Sequence, residues 1–192
     1  MKRVYEKYGE VKLRLLYTEN RISTEVQRLA DEITADYAGQ ELLLIVVLKG
    51  AFFFAADLAR RIRLPLTLDF IRLSSYSGTD TTGEVFLIDD IEASVAGKHV
   101  LVVEDIVDTG LSLASLLPRL SGRGPKSLRV CALIDKQGRR RADVTADYSG
   151  IVCSGGFLVG YGLDLDERCR ELPAIYEIET NPSCGGLNDS PM

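Results

Sequence analysis

The sequence predicts an α/β fold: a doubly wound, mainly parallel sheet flanked by helices. Two observations predict it. Apolar runs of strand length, at 42–48 and 100–103, are continuous rather than alternating, as strands covered on both faces require. Segments of helical period stand between such runs through the first two thirds of the chain. At 192 residues the chain suits one domain, 1–192, with its core at about 37–178 and a flexible tail expected at 179–192.

Each element follows in order. Ile22, Val26, Leu29, Ile33 and Tyr37 recur at steps of three and four, which predicts an amphipathic helix with a capping box at Thr24 and Gln27 and a stop at Gly39. ELLLIVVLKG reads as a buried strand ending at Lys49-Gly50, AFFFAADLARRI as a helix and LPLTLDFIRL as the next strand. SSYSGTDTTG, at 74–83, is too long for a tight hairpin and too polar to pack. EVFLIDD and KHVLVVED are further strands, 111–120 is a short helix, SGRGPKS a turn and LRVCALID a buried strand. Short strands at YSGIVC, GFLVGYG and AIYEIE complete the chain, which has no internal repeat or dividing linker.

Bulk properties exclude several classes of function. A net charge of -5 argues against a nucleic-acid surface, which needs a basic face. The opening MKRVYEKYGEVKLRLLYTEN lacks the apolar run of a secretory signal, and the 42–48 stretch is far short of the roughly 20 residues of a membrane span. Cys131, Cys153, Cys169 and Cys184 are widely spaced, which suits neither a zinc site nor a disulfide framework and predicts a reducing, cytoplasmic setting.

The chemistry concentrates where the 100–103 run meets Glu104, Asp105, Asp108, Thr109, Gly110 and Ser112. Unpaired carboxylates cannot share the burial of the strand, so they are expected at a surface, at the carboxyl end where open α/β sheets bind ligands. No GxGxxG follows a strand and no P-loop is present. The small-residue turn at 108–112 enters a helix, so its free N–H groups and hydroxyls can wrap a phosphate. Glu104 and Asp105 can accept from the hydroxyls of a diol. Phosphate and diol side by side describe a ribose 5-phosphate.

VLVVEDIVDTGLS resembles the phosphoribosyl pyrophosphate signature of type I phosphoribosyltransferases. VLKGAFFFAADL resembles the pyrophosphate loop of the hypoxanthine-guanine phosphoribosyltransferases, and IRLSSYSGTDTTGEV their mobile catalytic loop, with its pair at Ser75-Tyr76. GGFLVGYGLDLDERCRELPAIYEI resembles their purine-binding segment, and the whole likeness runs from about 37 to 178.

The resemblance implies a small hood built from the N-terminal and C-terminal segments. It also implies that the carboxylate of Asp108 takes or shares the proton at purine N7 while N9 bonds to the ribose carbon. Glu104, Asp105, Thr109, Gly110 and Ser112 would hold ribose and 5′-phosphate beside it. Lys49, Gly50 and Arg170 would hold pyrophosphate, with a cis peptide between Lys49 and Gly50 in several members. Lys136 would read the 6-oxo group, where a cation favours an acceptor oxygen over an amino group. Phe157 would stack on the base, Leu158 would read its edge through the backbone, and Asp164 would stand close by. Magnesium is the implied cofactor, with Glu104, Asp105 and Asp164 as its protein ligands and most coordination left to substrate oxygens and water. Phosphoribosyl pyrophosphate and a 6-oxopurine base are the implied partners, and a homodimer or homotetramer the implied assembly. The 74–83 loop would close over the site to exclude water.

Read without the family, Lys136 is a solvated lysine in the wet segment DKQGRRR and Asp108 caps a helix. Asp89-Asp90 read as a solvated turn and His99 as incidental. The chain departs from several relatives at Leu111, where they carry a lysine, and at Ser74, where some carry a basic residue. A sensor of the same fold that binds nucleotides without turnover is the alternative; the acidic balance and the lack of a spare domain weigh against it.

Overall fold

The computed structural model describes residues 12–75 and 85–179. Its elements are β1 (Leu13–Tyr17), α1 (Glu19–Asp36), β2 (Leu42–Leu48), α2 (Phe52–Arg61), β3 (Leu66–Ser75), β4 (Val85–Asp89), β5 (His99–Val107), α3 (Leu111–Ser121), β6 (Ser127–Lys136), β7 (Tyr148–Cys153), β8 (Leu158–Val159) and β9 (Ile175–Ile178), with a 3₁₀ turn at Gln137–Arg139. A six-stranded sheet has the order β4-β3-β2-β5-β6-β7, parallel except for β4 at its edge. A separate antiparallel sheet, β1-β9-β8, joins the two ends of the chain and forms the expected hood.

The continuous apolar runs have a simple cause: each face of the sheet has its own helical layer. Leu42, Leu44 and Val46 of β2 pack with Leu29 and Ile33 of α1 and Phe54 and Leu58 of α2. Leu43, Ile45 and Val47 point the other way, to Leu113, Leu116 and Leu120 of α3. One stretch of the first face stays bare. Leu73 and Leu87 pack into the α3 layer, so alternation turns Leu68, Phe70 and Ile88 to the opposite face, where each is more than 40% exposed.

Three local expectations need correction. Helix α1 begins at Glu19, and its cap is Thr18, whose hydroxyl accepts from the Arg21 N–H at 3.2 Å. Thr24 is no capping box: it lies inside the helix and donates to Asn20 O at 2.9 Å. The polar first turn carries no apolar period, so the sequence pattern starts late. Strand β5 also runs past Glu104 and Asp105, pairing with β6 as far as Val107↔Asp135. The cis peptide of the β2 turn lies one bond earlier than expected, between Leu48 and Lys49. Gly39, at φ 75, does end α1. Ser75 closes β3, whereas Tyr76, most of the 74–83 loop and all but the first residue of the 179–192 tail lie outside the described residues.

Candidate active site

The carboxyl end of β5 gathers the acids, but not as bare surface charge. Glu104 is only 7% exposed, and its Oε2 has no hydrogen-bond partner among the described residues. Burial, and then the neighbouring charge of Asp105, hold the Glu104 carboxyl well above its ordinary range. The expectation that all three acids lie at the surface is therefore corrected: a buried carboxyl avoids the cost of desolvated charge by keeping its proton. Asp105 is half-buried, and burial raises it to about 6 against the pull of its own and the Ile106 N–H groups and of Arg170.

This gives a stability dependence with a definite sign. An unfolded aspartate loses its proton near pH 4, whereas folded Asp105 keeps it until about 6. The native state thus binds the extra proton in that window, and stability falls as pH rises through it. Asp105→Asn removes the penalty. Measured without substrates, the variant should be more stable than the parent at pH 7.5 by about 1–3 kcal/mol and near-equal to it at pH 4. Denaturant titrations at both pH values check this; a gain of equal size at both would show that the carboxyl charge is not its source.

Beyond β5 the chain turns through Asp108, Thr109 and Gly110 into α3. Gly110 adopts φ 80, a left-handed conformation that glycine takes without strain. The turn is held from outside by the segment after β6. Arg141 and Ala142 donate their N–H groups to Thr109 O at 2.9 and 3.1 Å. Arg140 donates to the carbonyls of Asp108 and Val107, at 3.2 and 3.3 Å, and pairs with the buried Asp135. The basic run is thus not simply wet: Arg140 is half-buried and fixes the turn by its fork of donors.

Lys136, assigned by the resemblance to the 6-oxo group and solvated on a reading without it, is 3% exposed at the end of β6. Its Nζ donates to Asp108 Oδ2 at 3.2 Å, and Arg139 Nη1 stands 3.5 Å from the same oxygen. Two cavities meet over Asp105, Ile106 and Asp108. One, of about 230 Å³, is lined by Glu104 to Gly110, Ser112 and Leu113. The other, of about 240 Å³, is lined by Asp105, Asp108, Lys136, Phe157, Leu158 and Asp164, among others. Phe157, half exposed, belongs to the cleft and not to the core.

The third cluster joins the turn after β2 to the hood loop. A Cβ at Gly50 would fall 1.9 Å from Asp105 Oδ2, and one at Gly162 would fall 2.0 Å from Gly50 O. Gly50 therefore packs against the Asp105 carboxylate, and its backbone meets that of Gly162 where only glycine fits. Arg170 donates to Gly162 O at 2.7 Å and pairs with Asp164 at 2.9 Å, and its buried Nε has no partner among the described residues. Glu167, which sequence reasoning missed, pairs with both Lys49 and Arg170. Tyr161, at φ 50, anchors this loop to α2 by donating to Asp57 Oδ2 at 2.5 Å. Among the described residues no three carboxylates, histidines or cysteines converge to hold a metal ion alone, so Glu104, Asp105 and Asp164 are not a self-sufficient ligand set.

Of the other residues considered, Asp89 and Asp90 are exposed, and Asp90 pairs with Arg123. His99 sits at the opposite end of β5, its Nδ1 2.7 Å from Ser127 Oγ.

The chain is similar to known proteins over most of its length. The family model for the phosphoribosyl transferase domain matches residues 15–166. The hypoxanthine-guanine phosphoribosyltransferase of Mycobacterium avium is 46% identical over 174 residues, 87% of this chain and 85% of that one. The hypoxanthine-guanine-xanthine phosphoribosyltransferase of Tritrichomonas foetus is 43% identical over 163 residues, 84% of this chain and 89% of that one. A crystal structure of a hypoxanthine-guanine phosphoribosyltransferase from Bacillus anthracis superposes with a TM-score of 0.83 at 43% identity, covering 89% of this chain and all of the other.

Proposed function

The chain belongs to the phosphoribosyl transferase domain family, and from that premise we infer a purine-salvage enzyme that joins hypoxanthine or guanine, at N9, to the ribose carbon of phosphoribosyl pyrophosphate and releases pyrophosphate. The observation that carries this reading is the meeting of two cavities over Asp105 and Asp108. On one side the turn from Asp108 to Ser112 offers N–H groups at the start of α3 to a 5′-phosphate. On the other, Phe157 offers a stacking face, Leu158 a backbone edge and Lys136 a cation to a 6-oxopurine. A ribose spanning the two would lie against Glu104 and Asp105.

Asp108 stands where both substrates would meet. Its carboxylate would take or share the N7 proton as N9 attacks, and Lys136 and Arg139 hold it in position. Lys49 and Arg170 would bind the departing diphosphate, with the Gly50 backbone in close approach. Hard oxygen donors at Glu104, Asp105 and Asp164 suit magnesium, and a cation bound there would replace the proton that burial keeps on Glu104, whose Oε2 has no hydrogen-bond partner among the described residues. Magnesium held there would supply positive charge for the diphosphate oxygens, with water and substrate oxygens as its other ligands.

A homodimer or homotetramer would cover the exposed Leu68, Phe70 and Ile88, which share one face of the sheet edge. No described helix is long and apolar enough to cross a membrane, and we assign the enzyme to the cytoplasm.

Steady-state assays on hypoxanthine, guanine and xanthine with phosphoribosyl pyrophosphate and magnesium test the reading. Nucleotide and pyrophosphate should form in equal amounts from at least one of the first two bases. Tight binding of phosphoribosyl pyrophosphate with no turnover on any base would replace the enzyme by a sensor.

A further inference from the structure

One carboxylate oxygen sits between the two cations of the third cluster. Glu167 Oε2 lies 2.9 Å from Lys49 Nζ and 3.2 Å from Arg170 Nη2. The turn that carries it is specified by backbone. Leu165 and Arg168 bond each other's main chain, and the Glu167 N–H donates to Asp164 Oδ2 at 2.9 Å. Asp166 and Glu167 themselves take φ of 48 and 63, a left-handed conformation that costs a side-chain-bearing residue and persists only where its surroundings hold it. The Glu167 side chain is 62% exposed, against 31% for Asp164, so it can leave toward solvent without opening the fold.

We propose that Glu167 sets the affinity of the pyrophosphate subsite, because its carboxylate competes with diphosphate oxygens for Lys49 and Arg170. This rests on the assignment of those two cations to pyrophosphate. The chemistry is direct: an anionic oxygen shared by an ammonium and a guanidinium is the contact a diphosphate oxygen would make. Diphosphate binds only to the fraction of molecules in which Glu167 has moved aside, and the apparent dissociation constant rises as that fraction falls. Asp164 does not compete in the same way, since it pairs with Arg170 alone and also accepts the Glu167 N–H.

Glu167→Gln keeps the shape of the side chain and removes its charge. It should lower the KM for phosphoribosyl pyrophosphate and the inhibition constant of pyrophosphate by about three- to tenfold, the scale expected for two exposed ion pairs. The KM for hypoxanthine should not change, which a general loosening of the hood would not spare. Unchanged or weaker inhibition by pyrophosphate overturns the proposal. Lys49→Met, assayed in parallel, separates the two levels of inference. If it weakens pyrophosphate and Glu167→Gln fails to strengthen it, only the competition is wrong. If Lys49→Met has no effect on pyrophosphate, the subsite assignment falls and the proposal with it.

Discussion

Asp108→Asn is expected to lower kcat by about 10²–10⁴-fold while leaving the KM for phosphoribosyl pyrophosphate within a few-fold of the parent. The range is that of a lost general acid–base group. Asparagine preserves the volume and can still accept from Lys136, but it cannot take a proton at pH 7. The N–H groups at the start of α3 are unaffected, which is why binding of the phosphate should survive. Buried Lys136 does lose its charged partner, so some stability will be lost as well. Steady-state kinetics with both substrates varied, alongside a denaturant titration, separates the two effects. A kcat within tenfold of the parent in a folded variant would remove Asp108 from the chemistry.

The second large effect is expected at Lys136. Lys136→Met keeps the buried stem and removes the ammonium. Because a charge-assisted hydrogen bond to the 6-oxo group is lost, kcat/KM for hypoxanthine should fall by about 10²-fold. The parent should reject adenine, whose 6-amino group meets a cation with no lone pair to offer, and the variant should reject it much less. The ratio of the two specificity constants is the decisive quantity. If it is unchanged, the lysine serves only to hold Asp108.

The outcome at Lys136 illustrates what the sequence could and could not disclose. Strands and helices were legible because burial imprints itself on neighbouring residues: the 42–48 run has no polar interruption since both of its faces are covered. The turn at 108–112 was legible for a similar reason, as a tight turn into a helix with Gly110 at φ 80 needs small residues side by side. Pairing across the fold leaves no such imprint. Lys136 and Asp108 are separated by 28 residues, and nothing in DKQGRRR distinguishes the buried lysine from the exposed Arg139. Arg140 and Glu167 were missed on the same ground, since each acts through contacts with chain far away in sequence. Glu104 failed differently. The strand before it was read as buried, but a carboxyl can escape the penalty of burial by changing its protonation, and sequence does not record protonation.

The opening strand gives the hood an unexpected dependence. β1 pairs with β9, Leu13 opposite Ile178, and β9 in turn aligns β8, whose first residue is Leu158. Residues near the start of the polypeptide therefore set where β8, and with it the Leu158 wall of the cleft, lies. A chain clipped just after Tyr17 would keep the six-stranded sheet and the turn at 108–112, yet the Leu158 wall of the cleft would have lost the splint that keeps it in register.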